Sequence, residues 1–261
     1  MRIMKFDGLP VKLDLLRRLA TFAPLAVFVV AWHLYSSGSP GREFYFSSPL
    51  AVIGVLIEDL GNGSLQRHAS ITLFEALAGF ILGNFVGALM GLSLWYSSFL
   101  AKLSKPYLVT LGAIPVFALG PLTIIWFGVG ILAKVVLAFL ATVFVAALTS
   151  FTGAEQVNSL YIKRARVYGA SNYRIFRSII LPASVVWVIS SLRLTIGLAL
   201  LGAFIGEFIA SDAGLGYMII RASGLYDTPR VFAGVLVIAL IALTLDLLIG
   251  KLERSLLRWR R

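Results

Sequence analysis

The sequence predicts an all-α, polytopic membrane protein with six transmembrane helices and both termini in the cytoplasm. Three observations predict it. Of 261 residues, 59% are hydrophobic and only 13% charged, with a mean hydropathy of +0.92; soluble domains carry roughly 45–50% apolar and about 25% charged residues. Six apolar stretches approach or exceed the helix length that crosses a hydrocarbon core, at residues 19–35, 71–94, 107–127, 131–151, 183–209 and 231–252. With the N-terminus placed inside, 17 lysines and arginines fall in inner segments, five in outer ones, and Arg193 within a span. That asymmetry sets the orientation. Core helices of a soluble protein would need polar faces that these stretches lack.

Taken in order, residues 1–18 are mixed polar and basic and form a cytoplasmic segment; residues 19–261 form the transmembrane domain. No small-residue cleavage site follows the first span, so no cleavable signal peptide is expected. Residues 48–67 read as a short amphipathic helix along the outer surface, opened by Pro49, carrying Val52, Val55, Leu56 and Leu60, and ended by Gly61-Asn62-Gly63. The third span contains Gly112, Pro115, Gly120 and Pro121, which predict a kinked or interrupted helix. Such a break suits a gate, and ordinary helix irregularity accounts for it equally well. Gly128-Val129-Gly130 turns the chain into the fourth span. Residues 163–182, KRARVYGASNYRIFRSIILP, are basic at five positions, break at Gly169-Ala170-Ser171 and end in Leu181-Pro182; so basic a loop belongs in the cytoplasm. The outer segment 207–230 holds Ser211-Asp212-Ala213-Gly214-Leu215-Gly216, whose glycines suit a tight turn, and then a short helix over 217–221.

Much chemistry is excluded. The net charge of +11 comes from basic residues at the ends of apolar spans, so it sets topology rather than nucleic-acid binding. There is no cysteine, hence no disulfide, thiolate metal ligand or thiol nucleophile. No P-loop and no HExxH pair occurs. His33 and His68 fall near the outer surface and read as interfacial polar residues, and no Ser-His-Asp set can be assembled. Within the spans the charges are few. Arg193 either lines a pathway and meets an anion, or snorkels to the inner surface or pairs with a neighbouring carbonyl. Glu75 and Asp246 either serve the function or face the bundle interior, hydrogen-bonded and structural. Neither the paired acids nor the inverted repeats of an ion-driven carrier are visible. A transporter without motor or ion site needs an external energy source, and the basic cytoplasmic loop is where one would attach.

The loop resembles the "EAA" signature of permease subunits of binding-protein-dependent ABC importers. Gly169 stands at its glycine, Ile179-Ile180-Leu181-Pro182 at its ending, and Ala170, Ser171 and Phe176 also fit. Residues 121–130 (PLTIIWFGVG), Gly206-Glu207-Phe208-Ile209-Ala210 with Gly214-Leu215-Gly216-Tyr217, and Leu252, Glu253, Arg254, Arg258 and Trp259 resemble the nitrate/sulfonate/taurine branch. The likeness covers most of 65–261. It departs where Lys163-Arg164 replace the signature's Glu-Ala and Val186 replaces a proline.

The resemblance implies a type I ABC importer permease fold, with the coupling loop at 153–182 inserting two short helices, over 166–169 and 172–180, into a groove on an ATPase. Ala165, Arg166, Tyr168, Gly169, Ala170, Ser171, Tyr173, Phe176, Leu181 and Pro182 would make that contact, Tyr168, Tyr173 and Phe176 as apolar anchors. It implies two ABC ATPase subunits as partners, with ATP and Mg bound there, so that this chain holds no cofactor, metal or catalytic residue and is not an enzyme. It also implies a second permease copy, most simply a homodimer, and a periplasmic or lipid-anchored substrate-binding protein. That partner would touch Glu207, Asp212, Gly214 and Gly216. Ile114, Pro115, Phe117, Arg193, Thr195 and Gly197 would line the pathway, a small anionic solute would pass, and the site of action would be a bacterial inner membrane. The competing expectation is a stand-alone, ion-coupled secondary transporter with no ATPase.

Overall fold

The computed structural model describes residues 11–258, with side chains from Ala23 onward. Residues 1–10 and Trp259, Arg260 and Arg261 lie outside the described residues, as do the side chains of Lys12, Arg17 and Arg18. Twelve α-helices follow one another: α1 Val11–Ser36, α2 Pro40–Phe46, α3 Pro49–Gly61, α4 Ser64–Ser93, α5 Ser98–Gly112, α6 Val116–Phe127, α7 Ile131–Glu155, α8 Ser159–Val167, α9 Asn172–Ile175, α10 Leu181–Ile209, α11 Leu215–Gly224 and α12 Thr228–Leu256. Four runs are long and apolar enough to cross a membrane singly: Ser64–Tyr96, Ile131–Glu155, Asn172–Ile209 and Thr228–Leu256. The remaining expected spans are α1, whose described apolar part is Ala23–Ser36, and the pair α5 and α6.

The third span is not a straight crossing. α5 and α6 meet at 91°. The helix stops at Gly112, and Pro115, with no N–H to offer a preceding carbonyl, opens α6 instead of continuing α5. α5 begins at Ser98, earlier than expected, so Lys102 and Lys105 lie on a helix rather than in a loop. The outer segment also differs. Two helices, α2 and α3, meet at 50° and together qualify as a broken span. Ser39 and Ser48 cap them, each accepting a backbone N–H of the first turn. α3 is tied down by Asp59, almost fully buried, to which Arg230 donates from Nε at 3.0 Å. Asp227 takes the Nη1 of the same guanidinium at 2.7 Å.

α7 lies at the centre, between α4 and α10. Gly79, Gly83, Gly87 and Gly91 recur every fourth residue of α4, so they share one face. A Cβ on any of them would overlap Ala138, Thr142, Ala146 or Ala147 of α7. Gly202 of α10 also meets α7, where a Cβ would stand 2.8 Å from the Cα of Ala138. Lipid offers apolar helices no hydrophobic reason to associate, so such close backbone approach supplies the attraction. The expected consequence is specific: Gly83→Leu costs about 1–3 kcal/mol or more through overpacking and lowers the melting temperature of the detergent-solubilised protein. Gly197→Leu, where a Cβ meets nothing within 4 Å, leaves that temperature unchanged.

Candidate functional site

The cytoplasmic hairpin is built from local rules. Asn158 starts α8 by accepting the N–H of Leu160 at 2.9 Å. The helix ends in a Schellman motif: Gly169 N–H donates to Arg166 O at 2.9 Å, and Ala170 N–H reaches back to Ala165 O at 3.0 Å. This closure needs a left-handed residue, and Gly169 has φ +75°. Ser171 then caps α9, accepting the N–H of Arg174 at 3.3 Å. The tip projects freely, with Val167 and Tyr168 85% and 88% exposed. Arg166, Gly169, Ser171 and Tyr173 are exposed beside them.

Three of the expected contact residues face the other way. Ala165, Ala170 and Phe176 pack onto a small core of Leu92, Ala154, Ile175 and Ile180. Phe176 lies against Trp95 and Tyr96, ring centroids 5.8 and 4.8 Å away. It therefore seats the hairpin on the bundle instead of serving as an exposed anchor. Leu181 and Pro182 are exposed but open α10, at the far end of the hairpin. The first short helix spans Ser159–Val167, longer than the 166–169 expected. The second passes through a wide turn, Phe176–Ile180, straight into α10. Pro182, which has no N–H to donate, is accommodated in the first turn after it.

On the outer side the structure corrects the sequence reading. Glu207, Gly214 and Gly216 are buried and present no surface to a binding protein; Asp212 alone of that set is exposed. They form a clamp on the start of α11. Three successive backbone N–H groups are taken by side chains: Gly214 by His68 Nδ1 at 3.0 Å, Leu215 by Thr72 Oγ1 at 2.9 Å, and Gly216 by Glu207 Oε2 at 2.7 Å. The Thr72 hydroxyl donates to Glu207 Oε1 at 2.6 Å. Gly214 has φ +108°, and a Cβ there would overlap the Glu207 carboxylate. His68 is thus a clamp residue, with the proton of its neutral ring on Nε2. α11 runs Leu215–Gly224, longer than the 217–221 expected.

Glu75 lies beside Glu207, so a pair of acids does exist within the bundle, where none was expected. Lys134, expected in an outer segment, is fully buried near both and donates to Val129 O. The clamp already occupies both oxygens of Glu207, which makes the pair a structural joint of α4, α7 and α10.

The expected pathway residues do not form one lining. Thr195 is fully buried, its hydroxyl between Asn84 Oδ1 and Ser191 O, each 2.9 Å away, so it ties α10 to α4. Pro115 and Phe117 are exposed and Ile114 is partly so, all at the break between α5 and α6. Arg193 and Gly197 share an exposed face of α10. Arg193 pairs with Asp246 of α12, Nε to Oδ1 at 3.1 Å and Nη2 to Oδ2 at 3.2 Å, with the side chains 54% and 42% exposed. The partner is a carboxylate on α12 and not the neighbouring carbonyl expected. Arg193→Leu alone should lower the yield of folded protein by leaving Asp246 uncompensated within a span. Arg193→Leu with Asp246→Leu should recover it, as size-exclusion profiles of extracted membranes would show.

The structure is a bundle of apolar helices with a capped hairpin projecting at one end. Comparison with known proteins places it in a family. Residues 83–258 match the family described as "Binding-protein-dependent transport system inner membrane component". The chain is 35% identical over 235 residues to the riboflavin transport system permease protein RibX of Chloroflexus aurantiacus, covering 90% of this chain and 88% of the relative. It is 31% identical over 250 residues to the putative aliphatic sulfonates transport permease protein SsuC of Escherichia coli, covering 96% and 95%. The fold is shared with a solved bacterial ABC transporter involved in alginate import, at 16% identity and TM-score 0.61, covering 93% of this chain and 97% of that one. It is also shared with the MetNI methionine ABC transporter, at 17% identity and TM-score 0.58, covering 71% and 91%. The chain belongs to the binding-protein-dependent ABC importer permeases.

Proposed function

We propose that this permease passes a small solute, delivered by a periplasmic or lipid-anchored binding protein, by alternating access. Two ABC ATPase subunits docked on the hairpin around Gly169 would drive it. The observation that carries this reading is the hairpin itself: a docking element has to project and to keep its shape, and the Schellman closure beneath an exposed Tyr168 does both. ATP and Mg would bind the ATPase subunits, and this chain would catalyse nothing. A second copy of the chain would complete the pathway across a bacterial inner membrane, with rigid-body rocking of the spans between inward- and outward-facing states.

The relatives' names span riboflavin and aliphatic sulfonates, and formylaminopyrimidine for ThiX of Halalkalibacterium halodurans, 29% identical over 235 residues. The shared fold therefore does not select the solute. Among the described residues, Lys134 and Arg193, both within spans, each have acids beside them. An anionic solute would accordingly be chosen by the binding protein rather than by either of these charges. The test is uptake into proteoliposomes holding the permease with its ATPase and binding protein. Uptake should require ATP and both partners. Uptake by the permease alone, driven by an ion gradient, would overturn the proposal.

A further inference from the structure

Beneath the seat of the hairpin, the start of α5 and the end of α7 enclose a cleft of about 300 Å³. Its apolar wall is Leu94, Trp95, Ala101 and Phe151; its polar lining is Ser98, Lys102, Lys105 and Glu155. Lys105 is already engaged: its Nζ lies 3.3 Å from Glu155 Oε2 and 5.6 Å from the Phe151 ring centre. Those two charges cancel. Lys102 has no carboxylate within ion-pair distance among the described residues, so the cleft retains one positive charge. On the same helix Phe99 and Leu103 are 73% and 51% exposed.

We infer that this cleft binds the phosphate of an anionic phospholipid of the inner leaflet, with Lys102 and Ser98 as its donors. The orientation puts the cleft at the cytoplasmic membrane surface, where basic pockets between helices attract acidic headgroups and tryptophan settles at the boundary. A lipid uses both kinds of lining, its headgroup against Ser98 and Lys102 and its chains along Trp95 and the exposed Phe99 and Leu103. A free oxyanion would meet the same ammonium and hydroxyl and gain nothing from the apolar wall. Trp95 is also one of the rings on which Phe176 rests, so a bound lipid stiffens the seat of the hairpin. The inference rests on the inside-outside orientation and not on the ATPase docking proposed above.

Native mass spectrometry of the intact, detergent-purified protein tests it, with phosphatidylglycerol and phosphatidylcholine titrated separately. The wild type should retain one more phosphatidylglycerol per chain than Lys102→Gln, whose apparent affinity should fall about fivefold, the effect of one basic residue near an acidic surface. Lys102→Arg and the control Lys163→Gln should behave as wild type, and phosphatidylcholine retention should be equal in all four. Equal phosphatidylglycerol retention by wild type and Lys102→Gln would overturn the site. Full displacement of the lipid by millimolar inorganic phosphate would overturn the lipid as its occupant and assign a free oxyanion instead. Because retention is read without ATP or partners, failure here leaves the coupling hairpin untouched, and failure of ATP-driven uptake leaves this site untouched.

Discussion

Gly169→Arg should reduce ATP-driven uptake severely while leaving the chain folded and inserted. A Cβ at Gly169 meets nothing within 4 Å, so the arginine side chain has room inside the isolated chain. The cost to the fold is the left-handed backbone at φ +75°, about 1–2 kcal/mol for a residue with a Cβ. The cost to docking is larger. The hairpin tip would present a long cationic side chain where the proposed docking brings the backbone to a groove. Loss of a central contact of about 2 kcal/mol or more reduces uptake more than about thirtyfold at 1.4 kcal/mol per factor of ten. Gly169→Asn, which enters the left-handed region more readily, should retain most of the uptake. Transport assays on matched amounts of protein, with size-exclusion profiles of both variants, check the pair. Full uptake by Gly169→Arg would mean that the ATPase does not dock here.

Glu207→Ala should be the most destabilising single substitution in the outer half. It removes the acceptor of Gly216 N–H at 2.7 Å and of the Thr72 hydroxyl at 2.6 Å, and it strips buried Lys134 of a neighbouring acid. Breaking a buried charged network from one side costs about 3–5 kcal/mol. At about 2–4 °C per kcal/mol, the melting temperature drops by roughly 10 °C. Glu207→Gln keeps an acceptor for Gly216 and should lose less. Hydrogen exchange gives the sharper readout: in Glu207→Ala the amides of Leu215 and Gly216 should exchange with those of a frayed helix, while amides in the middle of α7 stay protected. Unchanged protection at Gly216 would show that α11 is held by something other than this clamp.

The spans and the hairpin are legible in the sequence because both rest on short-range physics. Hydropathy over 20 residues marks a span, and the break at Gly169-Ala170-Ser171 marks the turn of the hairpin. The glycines at 214 and 216 are legible as a turn, but their burial is not. Nothing in the chain says that Glu207 lies beside Glu75, which is 132 positions away in sequence; only the packing of α4 against α10 brings them together. Polar residues between apolar stretches read as surface, and the same assumption puts Lys134 outside when α7 in fact buries it. One long-range contact does leave a signal: Gly79, Gly83, Gly87 and Gly91 recur at the helical spacing of four, the pattern of a face meant for another helix. Its partner, the small-residue face of α7 around Ala138 and Thr142, is what makes α7 the centre of the bundle.

Because the chain has no cysteine, single cysteines can be introduced one at a time, and this gives the most direct test of the hairpin as the point of attachment. Tyr168→Cys and Ser171→Cys, at the exposed tip, should each cross-link to a cysteine placed in the groove of the co-expressed ATPase, in a yield that changes when ATP is added. Asp212→Cys, on the outer side, should not cross-link. Absence of any ATPase adduct at 168 and 171, with the complex otherwise intact, would contradict the account.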